Sequence, residues 1–142
     1  MIAAFELSKR ANSGRVYDKT IKKPADVANY YTHKMKGLKK ECFIALLLDS
    51  KNRIIKEEVI SVGTLNASLI HPREVFRSAI RESANSVILL HNHPSGDPKP
   101  SNEDKRVTKL LLKAGELLDI NVLDHIIIGK DRYWSFVERK VV

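Results

Sequence analysis

A chain of 142 residues, 43% of them apolar, is of one-domain size and can bury a core without disulfides or a structural metal. Its single cysteine, Cys42, excludes an internal disulfide and suits a reducing, cytoplasmic setting. No apolar run approaches the ~20 residues of a membrane span, and Met1 to Glu6 is too short and too soon charged for a signal peptide. The net charge of +8 is lopsided, because residues 1–40 hold ten Lys or Arg against three Asp or Glu. Such a basic segment can attract phosphate backbones or acidic proteins, although lysine-rich helix faces are more often simply solubilising.

Residues 1–19 carry no period and read as an extended or flexible lead-in to a domain over 20–142. Pro24 suits a first helical position, and Ala28, Tyr31, Met35 and Leu38 follow at helical spacing until Gly37 weakens the end. Glu41 to Asp49 is an apolar run of strand length, expected to form a hairpin with Arg53 to Val62 across Ser50-Lys51-Asn52. After a connecting loop, Pro72 or Arg73 starts a helix with Val75, Phe76, Ala79 and Ile80 inward and Glu74 in its first turn. Ser86 to Leu90 reads as a buried strand. A helix from about Asn102 to Leu118 should bury Val107, Leu110, Leu111, Ala114, Leu117 and Leu118. Val122 to Gly129 and Tyr133 to Phe136 complete the chain as strands turning at Lys130-Asp131. Helices alternating with strands in this way specify an α/β domain, a mixed sheet flanked by helices.

The densest chemistry follows the Ser86 strand, as His91-Asn92-His93-Pro94-Ser95-Gly96 and then Ser101-Asn102-Glu103-Asp104. Side chains two apart on extended backbone share a face, and Pro94 holds His93 extended, so His91 and His93 can converge. Ser101 is placed as a helix N-cap with Asp104 three residues on, which brings the carboxylate out of the first turn. Two imidazoles and one carboxylate leave a fourth position for water, the pattern of a catalytic zinc. Singly, each residue has an ordinary role as a cap or a surface strand end. The Ser95-Gly96-Asp97-Pro98 stretch reads as a turn, and His33, His71, Asp124 and His125 are left outside the site. For Asp124 and His125 a hydrogen-bonded strand role is expected, with metal ligation by His125 or orientation of a ligand by Asp124 as the alternatives.

His-x-His-Pro followed seven residues later by Ser-x-x-Asp resembles the JAMM (MPN-type) metal signature, matched by His91, His93, Pro94, Ser101 and Asp104. Gly63-Thr64-Leu65-Asn66, His71-Pro72-Arg73-Glu74 and Leu123-Asp124-His125-Ile126-Ile127-Ile128-Gly129 look like the RadC branch of that superfamily, over roughly residues 20–142. The resemblance implies a three-layer MPN fold, cytidine-deaminase-like in architecture, with one Zn2+ per chain on His91, His93 and Asp104. It also implies a catalytic glutamate at the start of a strand, matched by Glu41, with Glu57 and Glu58 as rival candidates for the base. The Ser101 hydroxyl is then available to stabilise an oxyanion.

The reaction class so implied is zinc-dependent hydrolysis of an amide or isopeptide bond in a peptide or protein of unidentified sequence. The loops at 63–72 and 95–100 lack the long insertions with which deubiquitinating relatives grip ubiquitin. Full-length RadC proteins also carry a helix-hairpin-helix region, which these residues do not contain, so the family's DNA-repair label rests here on the basic N-terminus alone. Lys9, Arg10, Arg15, Lys19 and the nearby Lys22 are interleaved with a single aromatic, Tyr17, which points to weak, non-specific DNA contact. The alternative reading is a DNA-associated protein with nuclease activity or a non-catalytic metal site. Imidazole-rich ligation favours the hydrolase, since nucleases commonly gather carboxylates around magnesium.

Overall fold

The run Cys42–Leu48 forms strand β1, and all seven of its side chains are buried. A strand so apolar must be covered on both faces. In this computed structural model, which describes residues 19–141, that cover comes from α1 (Pro24–Lys34) on one side and from α2 (Pro72–Arg81) and α3 (Asn102–Leu118) on the other. The remaining strands are β2 (Ile54–Val62), β3 (Ser86–Asn92), β4 (Asn121–Ile128) and β5 (Tyr133–Ser135). They form one mixed sheet in the order β2-β1-β3-β4-β5, in which only β3 and β4 are parallel. The expected α/β class and three-layer arrangement are both present. The lead-in expected over residues 1–19 lies outside the described residues except for Lys19.

Alternation along the strands divides the core. Ile44, Leu46, Leu48, Ile88, Leu90, Ile126 and Ile128 face α1, where they meet Val27, Ala28, Tyr31 and Met35. Phe43, Ala45, Leu47, Val87 and Leu89 face α2 and α3. Ordering each backbone unit costs about 1–2 kcal/mol, and full burial of a Leu or Ile returns roughly 1.5–3 kcal/mol. Strands β1 and β3, buried throughout, therefore recover their ordering cost from the layers packed on them to a degree that β5, with only Ser135 buried, does not. Between β1 and β2, Asp49 accepts from the backbone of Lys51 and Arg53, both at 2.9 Å, which lets Asn52 take its left-handed turn position at φ 59°.

Two expected apolar stripes are narrower than their sequences suggest. On α2 the buried residues are Val75, Phe76, Ser78 and Ala79, whereas Ile80 is 57% exposed. At 100° per residue, Ile80 lies well to one side of the face centred on Val75 and Ala79. On α3 the buried face is Asp104, Val107, Thr108, Leu111 and Gly115, with Leu110 and Leu118 exposed and Leu117 89% exposed. That face runs through polar and small positions, which a search for leucines passes over. At Gly115 a Cβ would lie 2.5 Å from the Ile120 carbonyl, so the helix seats against the start of β4 only with glycine there.

Glu57 projects onto the α1 side, buried, and accepts a hydrogen bond from the Tyr31 hydroxyl. Burial raises its pKa, outweighing the Tyr31 bond and the charge of Lys34. A carboxyl raised in the folded state weakens the fold as pH climbs from the unfolded value through the raised one. Glu57→Gln keeps an acceptor for Tyr31 and removes that cost. Thermal melts should show the variant equal to the parent at pH 4 and more stable at pH 8.

Candidate metal centre

The site lies beyond the carboxyl end of β3, where α3 begins, the position at which α/β sheets gather ligands. His91 and His93 emerge on one side of the strand, and Asn92 between them turns to the other. Asn92 accepts from Cys42 N at 2.7 Å and donates to the Lys40 carbonyl at 3.1 Å. This buried amide clamps the backbone on both sides of Glu41 and so ties the entry of β1 to the exit of β3.

Beyond β3, His93 N donates to the Ile128 carbonyl at 2.9 Å. Gly96, at φ 93°, reverses the loop, and its carbonyl accepts from Lys130 N at 2.9 Å. The β4–β5 turn comes so close that a Cβ on Gly129 would stand 2.4 Å from the Gly96 oxygen. The loop carrying His93 is thereby fixed on the hairpin. Ser101 then caps α3 as expected, with its Oγ accepting from Asp104 N at 3.0 Å and Asp104 Oδ2 accepting from Ser101 N at 2.8 Å.

His91, His93 and Asp104 come together, each offering one ligand atom, all within 4.8 Å of one another. The two Nε2 atoms are 3.1 Å apart, and Asp104 oxygens lie 3.3 Å from His91 Nε2 and 3.0 Å from His93 Nε2. Hydrogen bonding behind the rings decides which nitrogens carry protons. Thr108 Oγ1 donates to the Asp104 carbonyl at 2.7 Å, so towards His125 Nδ1, 2.5 Å away, it must accept. His125 therefore carries its proton on Nδ1 and accepts at Nε2 from His91 Nδ1, at 2.8 Å. His93 Nδ1 faces the Asp97 carbonyl at 2.8 Å and donates to it. In this order of protons both candidate histidines turn bare Nε2 lone pairs toward the Asp104 carboxylate. Three electron-pair donors aimed at one point require a cation there, a proton or a metal, and this donor set fits a divalent transition metal.

With a proton as that cation, burial disfavours charge on Asp104, but hydrogen bonds donated by His91 and His93 once they are protonated at Nε2 overcome it and hold its carboxyl far below the usual range. Burial likewise opposes charge on His93, and the Asp104 bond, the Asp97 carbonyl and the charges of Asp104 and Glu41 outweigh it, raising that ring's affinity for a cation. His125 is fully enclosed, stacked on Phe136 with centroids 5.0 Å apart and edged by Phe43, and burial keeps it neutral, its pKa well below the usual value. Glu41 stands half-buried just before β1, where its Oε2 accepts from Leu65 N at 2.9 Å. Glu103 accepts from Ala67 N at 2.9 Å, so the loop after β2 is pinned at the site from two sides.

The structure separates the other candidates from this point. Glu57 lies on the α1 face, and Glu58 accepts from Ser78 Oγ on α2 at 3.3 Å. Asp124 does not reach a ligand imidazole and instead accepts from Ser135 Oγ at 2.5 Å and Val137 N at 3.1 Å. Among the described residues no helix is long and apolar enough to cross a membrane.

The profile of the RadC-like JAB domain family matches residues 21–141 of this sequence. The chain belongs to that family. Similar proteins include UPF0758 proteins of Alkaliphilus metalliredigens, 52% identical over the whole chain, and of Methanosarcina mazei, 54% identical over 99% of it. Another, from Staphylococcus haemolyticus, is 57% identical over 96% of the chain. The chain spans 60–62% of the length of these relatives.

Within this RadC-like domain, sequence reasoning passed over Asn92 and Thr108 as supports of the centre, and gave His125 the hydrogen-bonded strand role that it has without tying it to His91. Each had a signal. Asn92 is a polar residue in a buried strand, Thr108 lies one helical turn after Asp104, and His125 interrupts an apolar run. Thr108→Val or His125→Phe removes the proton order that bares His91 Nε2. Losing such a support typically weakens metal binding by about 10–100-fold. Competition titration against a chelator should show that loss, with circular dichroism showing the fold retained.

Proposed function

We propose that the domain is a zinc-dependent hydrolase of the metallopeptidase type, cleaving amide or isopeptide bonds. The observation that carries the reading is the pair of bare imidazole nitrogens facing the Asp104 carboxylate beside Glu41. Zinc, when bound by His91, His93 and Asp104, supplies Lewis acidity that acidifies water and polarises a carbonyl oxygen. Glu41 acts as the base, taking a proton from the attacking water and delivering it to the leaving nitrogen. Its Leu65 N–H bond occupies one oxygen and leaves the other to do this. Ser101 Oγ accepts from Asp104 N, and its own hydrogen is free to donate to the oxyanion that develops on the substrate carbonyl. Asn92 and Leu65 hold Glu41 in place from either side. A single carboxylate ligand among imidazoles suits zinc better than the magnesium of most nucleases.

Elemental analysis of the purified protein should give one zinc per chain, and His91→Ala or Asp104→Ala should lose it. Wild-type protein that neither carries zinc nor takes it up on titration would rule the reading out. Glu41→Gln should retain the metal and lose hydrolysis of a peptide library by about 10²-fold or more. Zinc loss in that variant would make Glu41 a ligand, and undiminished turnover would remove it from the mechanism.

A further inference from the structure

Among the described residues the Glu41 carboxylate is held by one hydrogen bond, from Leu65 N at 2.9 Å. The backbone of Glu41 is fixed separately, because its carbonyl accepts from Gly63 N at 2.8 Å, so what Leu65 governs is the side chain. Leu65 belongs to the loop that joins β2 to α2. Leu65 and Ile70 anchor that loop in the core, whereas Thr64, Asn66, Ser68 and Leu69 are exposed. Its turn is closed within itself: the Asn66 carbonyl accepts from Leu69 N at 3.0 Å and Ile70 N at 3.2 Å, and Asn66 Oδ1 accepts from Ser68 N at 2.8 Å. The Ala67 N–H points out of this turn, to Glu103 on α3.

Glu103 divides its carboxylate between two partners. Oε2 accepts from Ala67 N at 2.9 Å, and Oε1 takes the guanidinium of Arg106, one helical turn on. An exposed pair of this kind adds little energy, but it fixes the direction in which the other oxygen points. Glu103 directly precedes Asp104 in the turn capped by Ser101, so the acceptor for the loop and a donor of the metal centre share one rigid element. A short path therefore runs from Asp104 through Glu103, Ala67 and Leu65 to Glu41. It crosses two hydrogen bonds, each accepted by a carboxylate and so stronger than a neutral one. A general base must lie within hydrogen-bond reach of the proton it takes, and a misplacement of about 1 Å can cost about 10²-fold.

We propose that Glu103 is a positioning residue, which sets the Glu41 carboxylate relative to Asp104 by holding the loop at Ala67. Its role in turnover rests on the hydrolase reading above; the coupling of the two hydrogen bonds does not. Amide hydrogen exchange by NMR on the zinc-loaded chain reads the coupling, and steady-state hydrolysis of the best-cleaved peptide of a library reads its consequence. Glu103→Gln keeps the reach and the acceptor but loses the charge. Glu103→Asp keeps the charge but is shorter by one carbon–carbon bond, about 1.5 Å, which takes the 2.9 Å bond out of range. The Gln variant should protect the Leu65 and Ala67 amides as the parent does and keep kcat within about threefold. Glu103→Asp and Glu103→Ala should exchange both amides about tenfold faster or more. They should lower kcat about tenfold, with KM, zinc content and melting curve unchanged. The reverse order, Asp like the parent and Gln impaired, overturns the proposal in favour of a charge acting on the α3 dipole. Faster exchange at Ala67 with Leu65 still protected overturns it too, as does zinc loss in the Asp or Ala variant, or cleavage that all three variants retain. A parent that cleaves no peptide while exchange follows the expected order leaves the coupling standing and removes the hydrolase.

Discussion

Two imidazole lone pairs and a carboxylate point at one another across about 3 Å, and the surrounding structure is arranged to keep them so. The order of protons that bares His91 Nε2 begins at the carbonyl of Asp104, whose carboxylate is the third donor. From there it passes through Thr108 and His125 to His91. A shift of α3 along its axis would therefore disturb a ligand and the tautomer of another ligand together. Buried polar groups are costly unless each is paired. Here the pairing is complete only when a cation joins the three donors, which links occupancy of the centre to stability of the fold.

The sheet supplies the rigidity this requires. Strand β3 lies between antiparallel β1 and parallel β4 and is buried throughout, so its carboxyl end is fixed by neighbours on both sides. From β1 comes Glu41, through the Asn92 clamp; from β4 comes His125; and the β4–β5 turn holds the His93 loop against Gly96. The one parallel pair in the sheet is also the one that needs a crossover helix, and α3 as that crossover delivers Asp104 and Thr108 from its first two turns.

Much of this was legible in the sequence because local rules were enough. Strand β1 follows from continuous apolar character, the position of His91 beside His93 from strand alternation, and the emergence of Asp104 from the Ser101 cap. What escaped was set by tertiary contact. Leu110, Leu117 and Leu118 match a helical period yet face outward, because α3 touches the sheet along a seam of Asp104, Thr108 and Gly115 that hydropathy ranks low. His125 and Thr108 are 17 residues apart and meet only through the packing of α3 on β4. Asn92 finds its partners at Lys40 and Cys42, about fifty residues upstream, and no local pattern announces such a clamp.

X-ray absorption at the zinc edge of the loaded protein tests the account most directly, because it reads the donors themselves. The account predicts a four-coordinate shell of nitrogen and oxygen at about 2.0–2.1 Å with the outer-shell scattering of two imidazole rings. A sulfur scatterer near about 2.3 Å, or a six-coordinate oxygen shell without imidazole scattering, would contradict it.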